Sequence, residues 1–367
     1  MDAASPNESD PAGDPPSGRL RAYLRRSAVD LCVLAIVATA VFSVLGCLGT
    51  FFFVGELASH FKPFYLAAAL AGTAMLVLLR AWRWALFGAA VVALNAVSVV
   101  PWYIAAGETA QGRAGPNLRI ALANVHTENT QYGALIEWIE ADPPDVLVVQ
   151  EIDGEWYEEL QILKTRYPHC VERPRGDNFG IAVYSRLPLE NAGIRLLGDV
   201  GVPAVAADLV GEGWAARLIA VHPLPPVSSA YADQRGQQLK EAADIAREVP
   251  LCVLAGDLNT TMWSPAHRRL ERDSGLRNTR RGFGLLGTWP AFLRPFAIPL
   301  DHCLCSPRIE VVRCVRGPHI GSDHLPMLFE LRVPKDSGTG LAPQEDSAQR
   351  ENGPAWKRKP PTTSGRA

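Results

Sequence analysis

The sequence lacks the cysteine spacing of a structural zinc site. Seven cysteines are present, but no C-x-x-C pair faces a second one. It also lacks a dominant charge. Thirty-six Lys and Arg stand against 38 Asp and Glu, a formal net charge of -2, which argues against a generic polyanion binder. No internal repeat is visible. No small-residue cleavage site follows the first apolar run, so a removable signal peptide is not expected. Charge is scarcest before Trp102, where most of the long apolar runs fall.

What is present divides the chain. Residues 1–18 are Pro-rich and acidic and are expected to be disordered. Residues 19–26 hold four arginines and directly precede an apolar segment, as a membrane-flanking anchor does. Residues 28–54 carry one charge, Asp30, and are long enough to cross a hydrocarbon core of about 30 Å. Residues 63–79 and 84–104 are a second and third span, with Trp82, Trp84, Trp102 and Tyr103 as interfacial anchors. The expected organisation is a tail with basic flank (1–27), three transmembrane helices (28–106), a linker (107–116), a catalytic domain (117–334) and a disordered tail (335–367). The leading arginines with Arg80 and Arg83 belong on the cytoplasmic side by the positive-inside rule. Three crossings then put everything after Ala106 outside. The lipid bilayer is the expected partner.

From Asn117 onward apolar runs read as strands at residues 118–125, 145–149, 180–185, 202–209, 215–221, 251–255, 300–305, 309–315 and 327–333. Helical spacing appears at 131–141, 156–165, 230–248 and about 264–272. The predicted fold is an α/β domain, a four-layer sandwich of two packed, mainly antiparallel β-sheets flanked by helices. Cys303, Cys305 and Cys314 lie close enough in sequence for one disulfide, although buried free thiols are the expectation.

Polar residues stand at the ends of these strands: Asn124, Glu151, His222, Asp257 with Asn259, Asp301, and Asp323 with His324. Each alone is an ordinary turn or surface residue. Together they place a carboxylate, amide or imidazole at almost every central strand end. Such oxygen-rich sets suit Mg²⁺, Mn²⁺ or Ca²⁺ rather than zinc. A histidine held by a second carboxylate can take a proton from water. The set fits metal-assisted attack of water on a phosphorus ester.

In order, the segments are Ala123-Asn124-Val125, Val149-Gln150-Glu151, Asn178-Phe-Gly-Ile-Ala-Val-Tyr-Ser-Arg186, Val221-His222-Pro223, Gly256-Asp257-Leu258-Asn259, Leu300-Asp301-His302 and Gly321-Ser322-Asp323-His324-Leu325-Pro326. This series resembles the endonuclease/exonuclease/phosphatase superfamily of Mg²⁺-dependent phosphoesterases over about residues 117–334. The resemblance implies that Glu151 binds the metal (Mg²⁺ or Mn²⁺), with Asn124 and Asp323 assisting. It implies that His324, oriented by Asp301, acts on the water or polarises the phosphate. Asp257 positions or deprotonates the nucleophile or protonates a leaving group. Asn259 and His222 bond the phosphoryl oxygens. Whether Asp257 or His324 is the base stays open. His126 and His302 are expected on the opposite face, as structural residues.

The whole layout resembles the membrane-anchored, VanJ-like members linked to glycopeptide resistance, which implies a lipid-linked pyrophosphate as substrate. Residues 267–300 read as a loop whose seven arginines against Glu271 and Asp273 meet phosphates and whose apolar residues meet the bilayer. An outward-facing nuclease is the first alternative, although 23 basic against 27 acidic residues over 117–335 disfavour extended DNA contact. A phospholipase-C-like diesterase and a relic domain without activity are the others.

Overall fold

The computed structural model describes residues 16–104 and 117–335. The expected linker at 107–116, the first 15 residues of the expected N-terminal tail and all but its first residue of the C-terminal one lie outside the described residues.

Four helices come first. α1 (Pro16–Cys47) is followed by α2 (Phe53–Ser59), α3 (Lys62–Leu78) and α4 (Trp82–Val99), and a short 3₁₀ turn continues α4 to Tyr103. α1 begins at Pro16, so the basic flank expected to precede the helix is its first turns. Residues 18–47 and 82–103 are long and apolar enough to cross a membrane, and α2 with α3 adds a third candidate bent by 67°. The first expected span, 28–54, ends as helix at Cys47 and its last two residues open α2, while α3 coincides with the second expected span, 63–79. The chain leaves helix between Cys47 and Phe53, and Glu56 of α2 contacts Arg235 and Ser264 of the second domain. Arg25 donates to the Leu79 carbonyl at 2.7 Å, so the start of α1 and the α3–α4 turn lie at one end. The α2–α3 corner and the end of α4 meet the second domain at the other, where Gly282 and Gly284 N–H bond the Trp102 carbonyl at 3.1 and 2.9 Å.

The second domain runs β1 (Leu118–Asn124), α5 (Tyr132–Ala141), β2 (Val146–Gln150), α6 (Gly154–Glu159), β3 (His169–Arg173), β4 (Ile181–Ser185), β5 (Leu189–Leu197), β6 (Val202–Gly211), β7 (Trp214–Ala220), α7 (Ser229–Ala246), β8 (Cys252–Asp257), α8 (Pro265–Ser274), β9 (Arg277–Asn278), β10 (Asp301–Cys305), β11 (Glu310–Arg316) and β12 (Met327–Arg332). One sheet has the order β11-β12-β1-β2-β4-β3, the other β5-β6-β7-β8-β10-β9. Both are mixed: β1–β2 and β7–β8 are parallel and the other pairs antiparallel.

Period-2 alternation divides each strand between two cores. Leu118, Ile120 and Leu122, Val146 and Val148, Leu218 and Ala220, and Val253 and Ala255 meet between the sheets. Ala121, Ala123, Leu147 and Val149 face α5 and α6. Ile219, Cys252 and Leu254 face α7 and α8. β3 and β5 were not expected as strands. Both are sheet edges whose solvent-facing residues break the apolar alternation, and β5 carries a bulge between Glu190 and Gly193. All seven cysteines are free thiols, so the cluster of Cys303, Cys305 and Cys314 holds no bridge.

Candidate active site

The alternation that builds the inter-sheet core continues one step past its last apolar residue. Asn124, Gln150, Asp257 and Asp301 keep the inward parity of β1, β2, β8 and β10, and all four are buried. Asn124 pairs in register with Gln150, and Asp257 with Asp301. Gln150 joins the two sheets: its Nε2 donates to the Val221 carbonyl, and its Oε1 accepts the Asp257 N–H at 2.8 Å. The sequence reading assigned Gln150 no role. Its signal was a buried-parity amide directly before Glu151.

This seam leaves no room at Gly256, where an added Cβ would lie 1.8 Å from the Val221 carbonyl oxygen. Gly256→Ala is therefore expected to destabilise the protein by roughly 3 kcal/mol, as overpacking against backbone does. Thermal unfolding checks this, and a native-like melting temperature would show that the seam can relax.

Four non-glycine residues at the pocket take left-handed backbone: His126 (φ 59°), Glu151 (φ 63°), Asn178 (φ 65°) and Asn259 (φ 50°). For Glu151 this costs about 1–2 kcal/mol. The conformation turns its carboxylate back over the strand ends. Asn124 Nδ2 donates to Glu151 Oε1 at 2.7 Å and to Asp257 Oδ2 at 3.2 Å. His222 Nε2 lies 3.5 Å from Glu151 Oε1, and its Nδ1 3.8 Å from Asp257 Oδ2. His324 Nδ1 bonds Asp301 Oδ2 at 2.8 Å, and its Nε2 lies 3.6 Å from Asp257 Oδ2. Asn259 donates its side-chain amide to the Pro223 carbonyl at 3.0 Å and its backbone N–H to Asp257 Oδ1 at 2.9 Å.

The eight residues singled out in sequence are thus not equally close. Glu151, His222 and Asp257 bring ligand atoms within 4.8 Å of one another, and so do Asp257, Asp301 and His324. Asn124 bridges Glu151 and Asp257, and Asn259 caps Asp257. Asp323 lines the same pocket but belongs to neither group. Its Oδ2 accepts from Trp289 Nε1 at 2.9 Å, and its Oδ1 lies 4.0 Å from His126 Nδ1.

His126 also lines the pocket, against the expectation that it would face away. Two residues past Asn124, period-2 spacing gives His126 the parity of Asn124 and not the opposite one, and its left-handed backbone follows the end of β1 at Asn124. His302 does face away, fully buried, with Nε2 bonded to the Thr260 and Pro299 carbonyls at 2.9 and 3.1 Å. The arginines of residues 267–300 are not a phosphate grip as a group, and none lies among the described residues lining the pocket. Arg280 is fully buried and donates to the Leu285, Leu286 and Asp301 carbonyls. Arg277 bonds the Ile309 carbonyl, and Arg281 stacks 4.9 Å over Trp102.

Electrostatics separate the titrating groups. Burial works to raise the Glu151 pKa, but the His222 bond and charge, the Asn124 amide and His324 bring it down to about 2. Burial works to lower that of His324, yet Asp301 and Asp257 raise it to about 10. Asp257 is pushed up by burial, with Asp301 adding to the rise and both histidines opposing it. The cluster therefore holds an ionised Glu151 and a protonated His324 on either side of an Asp257 with a raised proton affinity. Glu151 Oε2 is buried without a hydrogen-bond partner. An unpartnered carboxylate oxygen beside amide, imidazole and carboxylate donors fits a hard divalent cation. Glu151 and Asn124 are the residues that would hold it, with His222 and Asp257 in reach.

Comparison with known proteins agrees with this fold. The chain is similar in fold to an endonuclease/exonuclease/phosphatase from Beutenbergia cavernae, at 19% identity over 59% of this chain and 72% of that one, TM-score 0.50. It is equally similar to D. rerio TDP2 humanised by 14 mutations, at 16% identity over 59% of this chain and 99% of that one, TM-score 0.50. No curated protein matches. The Endonuclease/Exonuclease/phosphatase family model matches residues 121–324, from the middle of β1 to His324 and so across the whole set of strand ends, and the chain belongs to that family.

Proposed function

We propose that the protein is a membrane-anchored, Mg²⁺-dependent phosphoesterase that hydrolyses a lipid-linked (polyprenyl) pyrophosphate at the outer face of the membrane. Kinship with the VanJ-like subgroup and a part in glycopeptide resistance belong to this proposal. The observation that carries it is the composition of one pocket. A cavity of about 610 Å³ holds Glu151, His222, Asp257, Asn259 and His324, and is also lined by Leu57, His60 and Phe61 of the α2–α3 corner. Phe61, Val227, Tyr231 and Trp289 are apolar or aromatic lining residues still exposed to solvent. Phe296 stacks on Phe64 of α3 at 5.8 Å, so apolar surface runs from the pocket onto an apolar helix. A ligand with a phosphate end and a hydrocarbon end matches both halves.

In this reading Asp257 takes the proton of the attacking water, because its proton affinity is raised. His324, protonated and held by Asp301, stabilises charge on the phosphoryl oxygens, as do Asn259 and His222. A bound divalent ion would polarise the phosphorus–oxygen bonds. The orientation of the helices supports an outer active site. Arg25, Arg80 and Arg83 lie at the end opposite the second domain, where positive residues favour the cytoplasm.

The test uses purified full-length protein with three substrates: a polyprenyl pyrophosphate, inorganic pyrophosphate and DNA. The lipid is expected to be turned over with kcat/KM at least about tenfold above pyrophosphate. Nucleotide release from DNA exceeding phosphate release from the lipid would replace this reading with the nuclease one. A reporter fused after Val333 is expected to be active only outside the cytoplasm.

A further inference from the structure

The helical region does more than hold the domain at a surface, because its α2–α3 corner reaches into the back of the Asp257–Asn259 turn. Arg235 on α7 is fully buried. One of its amino groups, Nη1, donates to the Asn259 carbonyl at 2.7 Å. The other, Nη2, pairs with Glu56 Oε1 on α2. Glu56 Oε1 also accepts from Ser264 Oγ at 3.0 Å, and His60 Nδ1 lies 3.0 Å from Thr261 Oγ1. Residues 259, 261 and 264 are thus each tied to the corner, directly or through Arg235. Among them Asn259 has the left-handed backbone that a polar anchor must hold.

A buried guanidinium is tolerated only with its partners in place. Its Nε has no partner, so Glu56 and the Asn259 carbonyl account for its hydrogen bonds. Among the described residues, Glu56 is the carboxylate paired with Arg235; burial works to lower the proton affinity of the guanidinium and Glu56 works against that.

We infer that Glu56 and Arg235 are positioning residues for catalysis: the corner of the helical region fixes Asn259 through Arg235, so the active site is complete only with the helices attached. The inference rests on the phosphoesterase reading for its kinetic consequence, but its structural half stands apart from it. The Glu56–Arg235 pair was not foreseen in sequence, since residues 55–62 read as a link between spans.

The test compares full-length wild type, Glu56→Ala, Glu56→Gln and the double variant Glu56→Ala/Arg235→Met in detergent. Glu56→Ala is expected to lower kcat at least tenfold with KM changed less than about threefold, and Glu56→Gln, which keeps an acceptor for Arg235, to recover part of it. If Glu56→Ala does not fold, the double variant decides, because it removes both charges together. It is expected to melt near wild type, to keep the low kcat, and to show faster backbone hydrogen exchange over residues 257–264. A double variant that folds with wild-type kcat and unchanged exchange there overturns the inference. If wild type turns over no phosphate ester, the functional reading fails, and exchange over 257–264 still decides this one: faster supports it and unchanged overturns it.

Discussion

Asp257→Asn is expected to lower kcat about 10³-fold while leaving the fold intact. The loss is the size a general base contributes. Asp257 is the one residue shared by both groups of close ligand atoms, lying 3.6 Å from His324 Nε2 and 3.8 Å from His222 Nδ1. An amide keeps the acceptor for the Asn259 N–H but cannot take a proton from water. KM is expected to change little, since in the proposed reading Asn259 and His222 would still meet the phosphate. His324→Ala is expected to cost less, because it removes charge stabilisation but leaves the base. Equal kcat in Asp257→Asn and wild type would remove Asp257 from the chemistry. Steady-state kinetics on purified full-length variants check both.

Glu151→Gln is expected to abolish stabilisation by divalent metal. A ligand that binds the folded state at a hundred times its Kd adds about 2.7 kcal/mol. Wild type is therefore expected to melt several degrees higher in Mg²⁺ or Mn²⁺ than in EDTA, and Glu151→Gln at the same temperature in both. This readout needs no substrate. A metal-dependent shift that survives in Glu151→Gln would move the site elsewhere. The same carboxylate sets an acid limit without metal. Its folded pKa of about 2 lies below the usual 4.5, so its contribution is present above about 4.5 and is lost as pH falls through 2. His324 sets the alkaline limit with the opposite sign: raised from 6.5 to about 10, it contributes fully below 6.5 and loses that contribution as pH rises through 10.

The strand ends were legible in sequence because a buried strand advertises itself. Four apolar residues and then Gln150-Glu151, or Leu251 to Ala255 and then Gly-Asp-Leu-Asn, mark both a core and the point where it stops. The inward parity of Asn124, Asp257 and Asp301 follows from the same period. What the sequence hid is tertiary. β3 and β5 are edges, where pairing on one side suffices and apolar alternation relaxes. Arg280 looks like a phosphate-binding arginine until its guanidinium is found buried against three carbonyls. His126 escaped because it was given the face opposite Asn124, although a residue two positions on shares that residue's parity. Trp289, which bonds Asp323 from 34 residues away, carries no local signal. The α2–α3 corner read as a polar link, since a Glu and a His between apolar runs look the same whether they meet water or Arg235 and Thr261.

Phosphate release from a polyprenyl pyrophosphate by the full-length protein, with Mg²⁺ and again with EDTA, tests the central claim most directly. The account predicts turnover by wild type that stops in EDTA, returns with added Mg²⁺, and stays about 10³-fold lower in Asp257→Asn under every condition. Turnover that persists in EDTA, or that Asp257→Asn retains, would contradict it.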